Sequence, residues 1–221
     1  MHEGFHPPVE EYLEAILELS EDGSEVIQAR LAERLGHSAP SVSETVRRLV
    51  AEGYLKRKGR TLILTTDGRR RAEAVIRKHR LAERLLTDVI GLPWHKAHLE
   101  AGRWEHVISD EVEARLIVLL GNPATCPHGN PIPGLGKPRD DLTALDEATT
   151  GQLLRLERIA EAVEFDDSAL IYLDQHGFRP GVAAAVRDRV PDGTLVLDVD
   201  GRVVAIGPSL GKQLFVSIIP S

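Results

Sequence analysis

The chain carries a single cysteine, Cys126, so no disulfide can staple it internally, and that usage fits a reducing compartment. Aromatic residues are scarce at 4%, and no run approaches the roughly 20 apolar residues of a membrane helix. The opening MHEGFHPPVEEY lacks the basic start and apolar core of a secretory signal, so a cytoplasmic protein with no membrane attachment is expected. Absent too are an HExxH helix, a Gly-rich phosphate loop and a nucleophile elbow; no enzyme is expected. What is present is a 42% hydrophobic content, enough for an ordinary core, and an uneven charge. The net charge is -7, yet residues 44 to 84 hold thirteen Lys and Arg against five Asp and Glu. A basic block inside an acidic chain marks local anion binding.

Residues 9 to 20 space Tyr12, Leu13, Ile16, Leu17 and Leu19 along one helical face, with Glu11, Glu14 and Glu18 assigned to the solvent side. VIQARLAERLG follows, ended by Gly36. Ser38 then caps APSVSETVRRLVAEG, where Pro40 is tolerated in the first turn. YLKRKGRTLILTT reads as two strands around Lys58-Gly59-Arg60. This is the order of a winged helix-turn-helix. A long helix, DGRRRAEAVIRKHRLAERLLTDVIG, precedes helical stretches at 94 to 107 and 109 to 120. The Pro- and Gly-rich segment 121–141 reads as a loop or tether. Beyond residue 150, QLLRLERIAEAV, VAAAVRDRV, GTLVLDVDG and RVVAIG read as short strands, turning at Asp192-Gly193 and Asp200-Gly201, with one helix near DDSALIYLDQHG. The expected class is mainly α with small β parts. It comprises a winged-helix domain at 1–72, a helical dimerisation domain at 73–140 and a small β-barrel at 150–221.

Ser38, Ala39, Pro40, Ser41, Ser43 and Glu44 open the third helix with small or polar residues suited to base edges in a major groove. Arg30, Arg47, Arg48, Lys56, Arg57, Lys58 and Arg60 supply positive charge for phosphates. On the long helix, Ala72, Ile76, His79, Glu83, Leu86 and Ile90 recur at intervals of four and three. His79 and Glu83 thus interrupt an apolar stripe, where a charge is costly to bury alone. His98, Gly102 and Glu105 share a face of the next helix, with His106 beside them. Three imidazoles and two carboxylates on adjacent helices suit divalent iron, manganese, zinc or nickel. His95 is assigned to the surface.

The stretches KHRLAERLLTDVIGL, RWEHVISDEVEARL and GNPIPGL closely resemble the diphtheria toxin repressor family of iron- and manganese-dependent regulators. The resemblance runs from about residue 9 to 140 and is looser over the barrel, which looks like that family's SH3-like domain. It implies an ancillary site of His79, Glu83 and His98, completed by an acid from the barrel, Asp166, with Asp167 as fallback. Ala169 falls where some relatives carry a side-chain amide. Glu105 and His106 match the primary site, and Glu11 stands at a first-helix position that is methionine in iron-type and aspartate in manganese-type members. Glu14 matches a ligand of two-domain manganese regulators but is assigned here to the surface. Gly102 replaces a cysteine or glutamate ligand and offers only its carbonyl or room for water, so Cys126 is a candidate to complete that site. His128 is assigned to the loop.

The resemblance therefore implies a repressor of metal-ion homeostasis with two metal sites per subunit, for Mn²⁺ or Fe²⁺, manganese favoured by the harder Glu11. The metal would join the DNA-binding and dimerisation domains, and a homodimer would face a palindromic operator. Two other readings stay open on the residues alone. One is a metallohydrolase with water at Gly102; the other is a winged-helix regulator of a small-molecule signal.

Overall fold

The computed structural model describes residues 8–220; the first seven residues and Ser221, at the outer ends of the expected winged-helix and SH3-like domains, lie outside the described residues. The chain divides into two compact units, one of residues 1–79 with 102–110 and one of 80–101 with 111–221.

The first unit has the expected winged-helix order: α1 (Pro8–Glu21), α2 (Gln28–Leu35), α3 (Ala39–Ala51), β1 (Leu55–Lys58), β2 (Thr61–Leu64) and most of α4 (Thr66–Arg84). Leu13 and Leu31 meet Val42, Val46 and Leu49 in a core from which water is excluded, the dominant stabilising term. Gly36 ends α2 in the left-handed region at φ 64°, and the Ser38 hydroxyl accepts the Ser41 amide at the start of α3, leaving no room for more than a tight turn. The wing pairs Leu55 with Leu64 and Lys58 with Thr61, and the Leu62 amide donates to Val26 O at 2.8 Å. Gly68 is required where α4 begins, since a Cβ there would lie 2.1 Å from Tyr54 O. One expectation fails in α1. Glu14 and Glu18 are buried at 9% and 7% exposure. Glu18 is covered because it ion-pairs with Arg34 of α2 at 2.6 Å.

The second unit continues through a π-helical segment Leu85–Ile90 that stops at Gly91. It then holds all but the end of α5 (Trp94–Trp104) and most of α6 (Asp110–Leu119). The wider π turn shifts the helical phase. Leu86 stays buried while Ile90, expected on the same apolar stripe, is 55% exposed. The remaining elements are β3 (Thr143–Ala144), β4 (Leu153–Ile159), α7 (Glu161–Glu164), α8 (Asp167–Gln175), β5 (Ala183–Arg189), β6 (Leu195–Val199), β7 (Arg202–Ile206), α9 (Pro208–Gly211) and β8 (Leu214–Ile219). They form an antiparallel sheet in the order β3-β8-β4-β5-β6-β7. No ladder joins β3 to β7 among the described residues. The expected small β-barrel domain is this antiparallel sheet, with irregularities at Leu156/Arg158 and Val186/Asp188 of the kind that bend strands. Asp200 and Gly201, both at positive φ, make the two-residue β6–β7 hairpin that the sequence announces.

Two further departures shape the site. Segment 121–141 is not a free tether: Cys126, His128, Asn130 and Ile132 are fully buried. And the strand read through Val163 stops at Ile159, after which α7 makes one helical turn.

Candidate metal centres

In the first unit, α1, α4 and the end of α5 bring five ionisable groups together. Glu105 is shared by two imidazoles: one carboxylate oxygen lies 2.5 Å from His79 Nδ1, the other 3.0 Å from His106 Nε2. His106 Nδ1 in turn faces Glu10 at 3.0 Å, and Arg71 approaches Glu10 at 3.7 Å. Glu14, His79 and Glu105 place ligand atoms within 4.8 Å of one another. Burial alone would raise the Glu105 pKa, but His79 and His106 draw it down to about 2. Burial would lower that of His106, yet Glu105 and then Glu10 raise it. Carboxylates beside both ring nitrogens favour the protonated form of His106 in the absence of a metal.

The α1 acids that stand beside Glu105 and His106 differ from the one expected, Glu11. Glu10 and Glu14, one helical turn apart, supply the carboxylates of α1; Glu11 lies about 100° round the helix from Glu10, and no described contact joins it to Glu105 or His106. Glu14, assigned to the surface from the sequence, is buried beside His79 and Glu105. Gly102 faces open space: a Cβ built there meets nothing within 4 Å. Cys126 belongs to the second unit, not to this one.

The second unit gathers Glu83 from α4, His98 from α5, His128 from the loop, and Glu161 and Glu164 from α7. His98 Nδ1 lies 3.3 Å from Glu83, 3.2 Å from Glu164 and 3.8 Å from Glu161. His128 Nδ1 lies 2.8 Å from Glu164 and 3.4 Å from Glu83. Cys126, Glu83 and His128 place ligand atoms within 4.8 Å of one another. The loop is forced inward by its own chemistry. The Cys126 amide donates to Asn130 O, closing a turn over Pro127 and His128. At Gly129 a Cβ would lie 2.0 Å from Glu157 O, so only glycine lets the loop lie against β4, where Ile159 N donates to His128 O. The Asn130 amide then holds Glu164 at 2.7 Å, and Arg80 holds Glu161 at 2.8 Å and Pro131 O at 2.5 Å. Burial and the Glu161 carboxylate push the Glu164 pKa up. Burial opposes protonation of His128, but Glu164 and Glu83 carry its pKa well above the ordinary value. Burial, then Glu83, pushes the Cys126 thiol up to about 12.

Asp166 is corrected here. It caps α8, accepting the amides of Ser168 and Ala169 at 3.0 and 3.1 Å, and is exposed, as is Asp167. Glu161 and Glu164 stand beside His98 instead; the signal for them was an acid pair at i and i+3, masked by reading that stretch as strand. His128 was missed for a like reason, since a Pro/Gly loop looks solvated. The expected grouping of His79 with Glu83 and His98 draws on both units. Both clusters fit a divalent cation on chemistry alone. They are buried oxygen and imidazole donors, with a thiol in the second, and their crowded carboxylates repel one another in the absence of positive charge.

On the winged helix, Ser38, Ala39, Pro40, Ser41, Glu44, Arg47 and Arg48 are exposed, and Ser43 is half-buried. Lys56, Arg57 and Lys58 are exposed in succession along β1. Arg30 and Arg60 are exposed too, but both contact Glu25.

Residues 5–61 match the family described as the iron dependent repressor N-terminal DNA binding domain, 65–134 its metal binding and dimerisation domain, and 143–218 the FeoA domain. The chain is 45% identical over 204 residues to the iron-dependent repressor IdeR of Mycobacterium leprae, covering 87% of this chain and 88% of that one. It is 42% identical over 215 residues to the diphtheria toxin repressor of Corynebacterium diphtheriae, covering 93% and 94%. Among solved structures, a manganese-dependent transcriptional repressor in complex with manganese matches at a TM-score of 0.87 and 32% identity, over 96% of this chain and all of that one. No helix among the described residues is long and apolar enough to cross a membrane. Matched along its length by these relatives, the chain belongs to the family of metal-dependent, DNA-binding repressors of metal homeostasis that includes IdeR and the diphtheria toxin repressor, a family of transcription regulators and not of enzymes.

Proposed function

We propose that this repressor is switched by two divalent-cation centres per subunit, one in each compact unit, and that the first-unit centre does the switching. The observation that carries this reading is Glu105 shared between His79 and His106, with Glu10 and Glu14 of α1 beside them. The helix that opens the winged helix-turn-helix thus contributes acids to the same cluster as α4 and α5. A bound Mn²⁺ or Fe²⁺ would supply the positive charge that these crowded carboxylates call for.

The protein's own groups do the rest. His79 and His106 would offer ring-nitrogen lone pairs, Glu105 its ionised carboxylate, and Glu10 and Glu14 would anchor α1. An α1 so held fixes α2 and α3 through the shared core of Leu13, Leu31 and Val46, and the ordering that DNA docking requires is met beforehand. The first cluster is all oxygen and imidazole, which favours manganese; the Cys126 thiol gives the second a softer character open to iron or zinc. In the second, Glu83, His98, His128, Glu161 and Glu164 are the proposed ligands, with Cys126 as the sixth group.

The homodimer is supported by the exposed apolar residues of the second unit, Val89, Ile90, Val118 and Leu119, each more than half exposed, a set that solvent-facing helices seldom carry together. Two copies would present two α3 helices to a palindromic operator with half-sites one DNA turn apart, or a multiple. Ser38, Ala39, Pro40, Ser41, Ser43 and Glu44 are the proposed base readers, with Arg47, Arg48 and Lys58 on phosphates. The test is operator binding by metal-stripped protein, retitrated anaerobically with each metal. The reading stands if the chelated protein loses the operator and regains it with metal, and falls if the stripped protein grips it equally well.

A further inference from the structure

The wing's outermost arginine is already engaged. Glu25, on the segment before α2, takes Arg60 Nε at 3.0 Å and its terminal nitrogen at 2.7 Å, and accepts the Thr61 hydroxyl at 3.1 Å. Its backbone carbonyl accepts from Arg30 at 2.8 Å. One acidic residue therefore holds two of the basic side chains assigned to the DNA backbone. The placement is not casual: Val26 and Ile27, the next residues, pair with Leu62 and Thr61 of the wing, so the backbone carries Glu25 to the wing turn. The two-pronged geometry is the one a guanidinium offers a phosphate. Both partners face solvent, Arg60 at 76% and Glu25 at 38% side-chain exposure, where an ion pair is held weakly and yields to a competing anion. The Arg60 and Thr61 contacts hold the Glu25 carboxyl below its ordinary range, so it stays charged at neutral pH.

We propose that Glu25 is an affinity-determining residue of the DNA interface, a built-in anion that competes with backbone phosphate for the Arg60 guanidinium. The pair contributes no net charge until a phosphate displaces the carboxylate, which lowers both the affinity for DNA and its dependence on salt. Because this kind of contact reads no bases, it acts alike on operator and random DNA. The inference rests on the DNA-binding surface proposed above.

The test uses the full-length protein loaded with Mn²⁺ and a random-sequence DNA duplex, with affinity followed by fluorescence anisotropy over a series of KCl concentrations. Glu25→Gln keeps an oxygen for Thr61 but frees Arg60. Binding should tighten by up to about fivefold at low salt, the most an exposed pair withholds. The log–log salt slope should steepen by about 0.9, one more phosphate neutralised. In the Glu25→Gln/Arg60→Ala double variant both gains should vanish. A gain that survives loss of Arg60 overturns the proposal, because Glu25 would then act only as a diffuse charge. No gain, or weaker binding, overturns it as well, the latter by making Glu25 an aligner of Arg60. Arg47→Ala is the control on α3. If it flattens the slope while Glu25→Gln does nothing, this inference alone fails; if it leaves the slope unchanged, the DNA surface itself is wrongly placed and the inference falls with it.

Discussion

The two acidic clusters are built from the same residue types and differ in how they balance charge. In the first unit one carboxylate, Glu105, is bracketed by two imidazoles and is strongly ionised, and the α1 acids stand at the edge, Glu10 with 22% of its side chain exposed. In the second, Glu83, Glu161 and Glu164 crowd together at 1% exposure, 3% and none, and Glu164 is pushed toward its neutral form. The first has a buried centre of His79 and Glu105 and a partly exposed edge at Glu10. The second is sealed by the Cys126–Ile132 loop and riveted by Arg80. The first therefore has one edge open to solvent through Glu10, whereas the second lies wholly beneath the loop, where it ties α4, α5, the loop and α7 together. The contrast shows why residue type alone is a poor guide to role. The same glutamates and histidines meet different surroundings according to what covers them.

Glu105→Gln should break the first cluster outright. Metal affinity there is expected to fall by at least about 100-fold, beyond the range of an outer-shell change. Metal-dependent operator binding should be lost while the dimer persists on size-exclusion chromatography; retention of wild-type operator affinity would sink the assignment. In the second cluster, Arg80→Ala leaves Glu161 buried without its guanidinium. It should cost about 3–5 kcal/mol of stability, read by denaturant unfolding, with little effect on the first cluster's metal affinity.

pH separates protonated from metal-loaded states in both. His106 and His128 have raised folded pKa values, so their stabilisation is fully present below about 6.5, the free-imidazole value, and is lost as pH rises through the folded value. Glu105 is depressed to about 2, so its contribution is present above about 4.5 and fades as pH falls towards 2. From these three groups the metal-free protein should melt highest between about pH 4.5 and 6.5, the raised Glu164 carboxyl favouring the acid end of that window, and its Tm should drop on alkalinisation. The metal-loaded form should hold its Tm to higher pH, because ligands bind deprotonated and metal affinity climbs as protons leave. A metal-free Tm that rises steadily above pH 7 would contradict the imidazolium picture. The smallest effect is at Gly102. With nothing within 4 Å of its Cβ position, Gly102→Ala should stabilise α5 by about 0.5–1 kcal/mol, whereas Gly102→Cys should add a soft ligand and shift preference from manganese towards iron or zinc. A destabilised Ala variant would show that the space is not free.

The winged helix was legible because its signals are local. Gly36 and Ser38 punctuate the turn, Pro40 marks a first turn, and the apolar periods of α1 and α3 point to one core. His79, Glu83, His98, Glu105 and His106 stood out because polar groups break an apolar stripe on a helix. Glu10 in place of Glu11, and Glu14 as a member of the cluster, were not legible, since any of three neighbouring glutamates on α1 satisfies the same period until the facing helix is known. Glu161, Glu164 and His128 were hidden more deeply. Their burial depends on a strand that ends at Ile159 and on a glycine, Gly129, that lets a loop press against it.

By itself the order of residues determined the helices, the wing and the class of chemistry, because propensity, capping and apolar period act over a turn or two of chain. Which carboxylate meets which imidazole, which loop is buried and which arginine is free for DNA were decided only by the tertiary structure. Those choices are set by contacts between residues up to 96 positions apart, as between Glu10 and His106, and no local rule spans that distance.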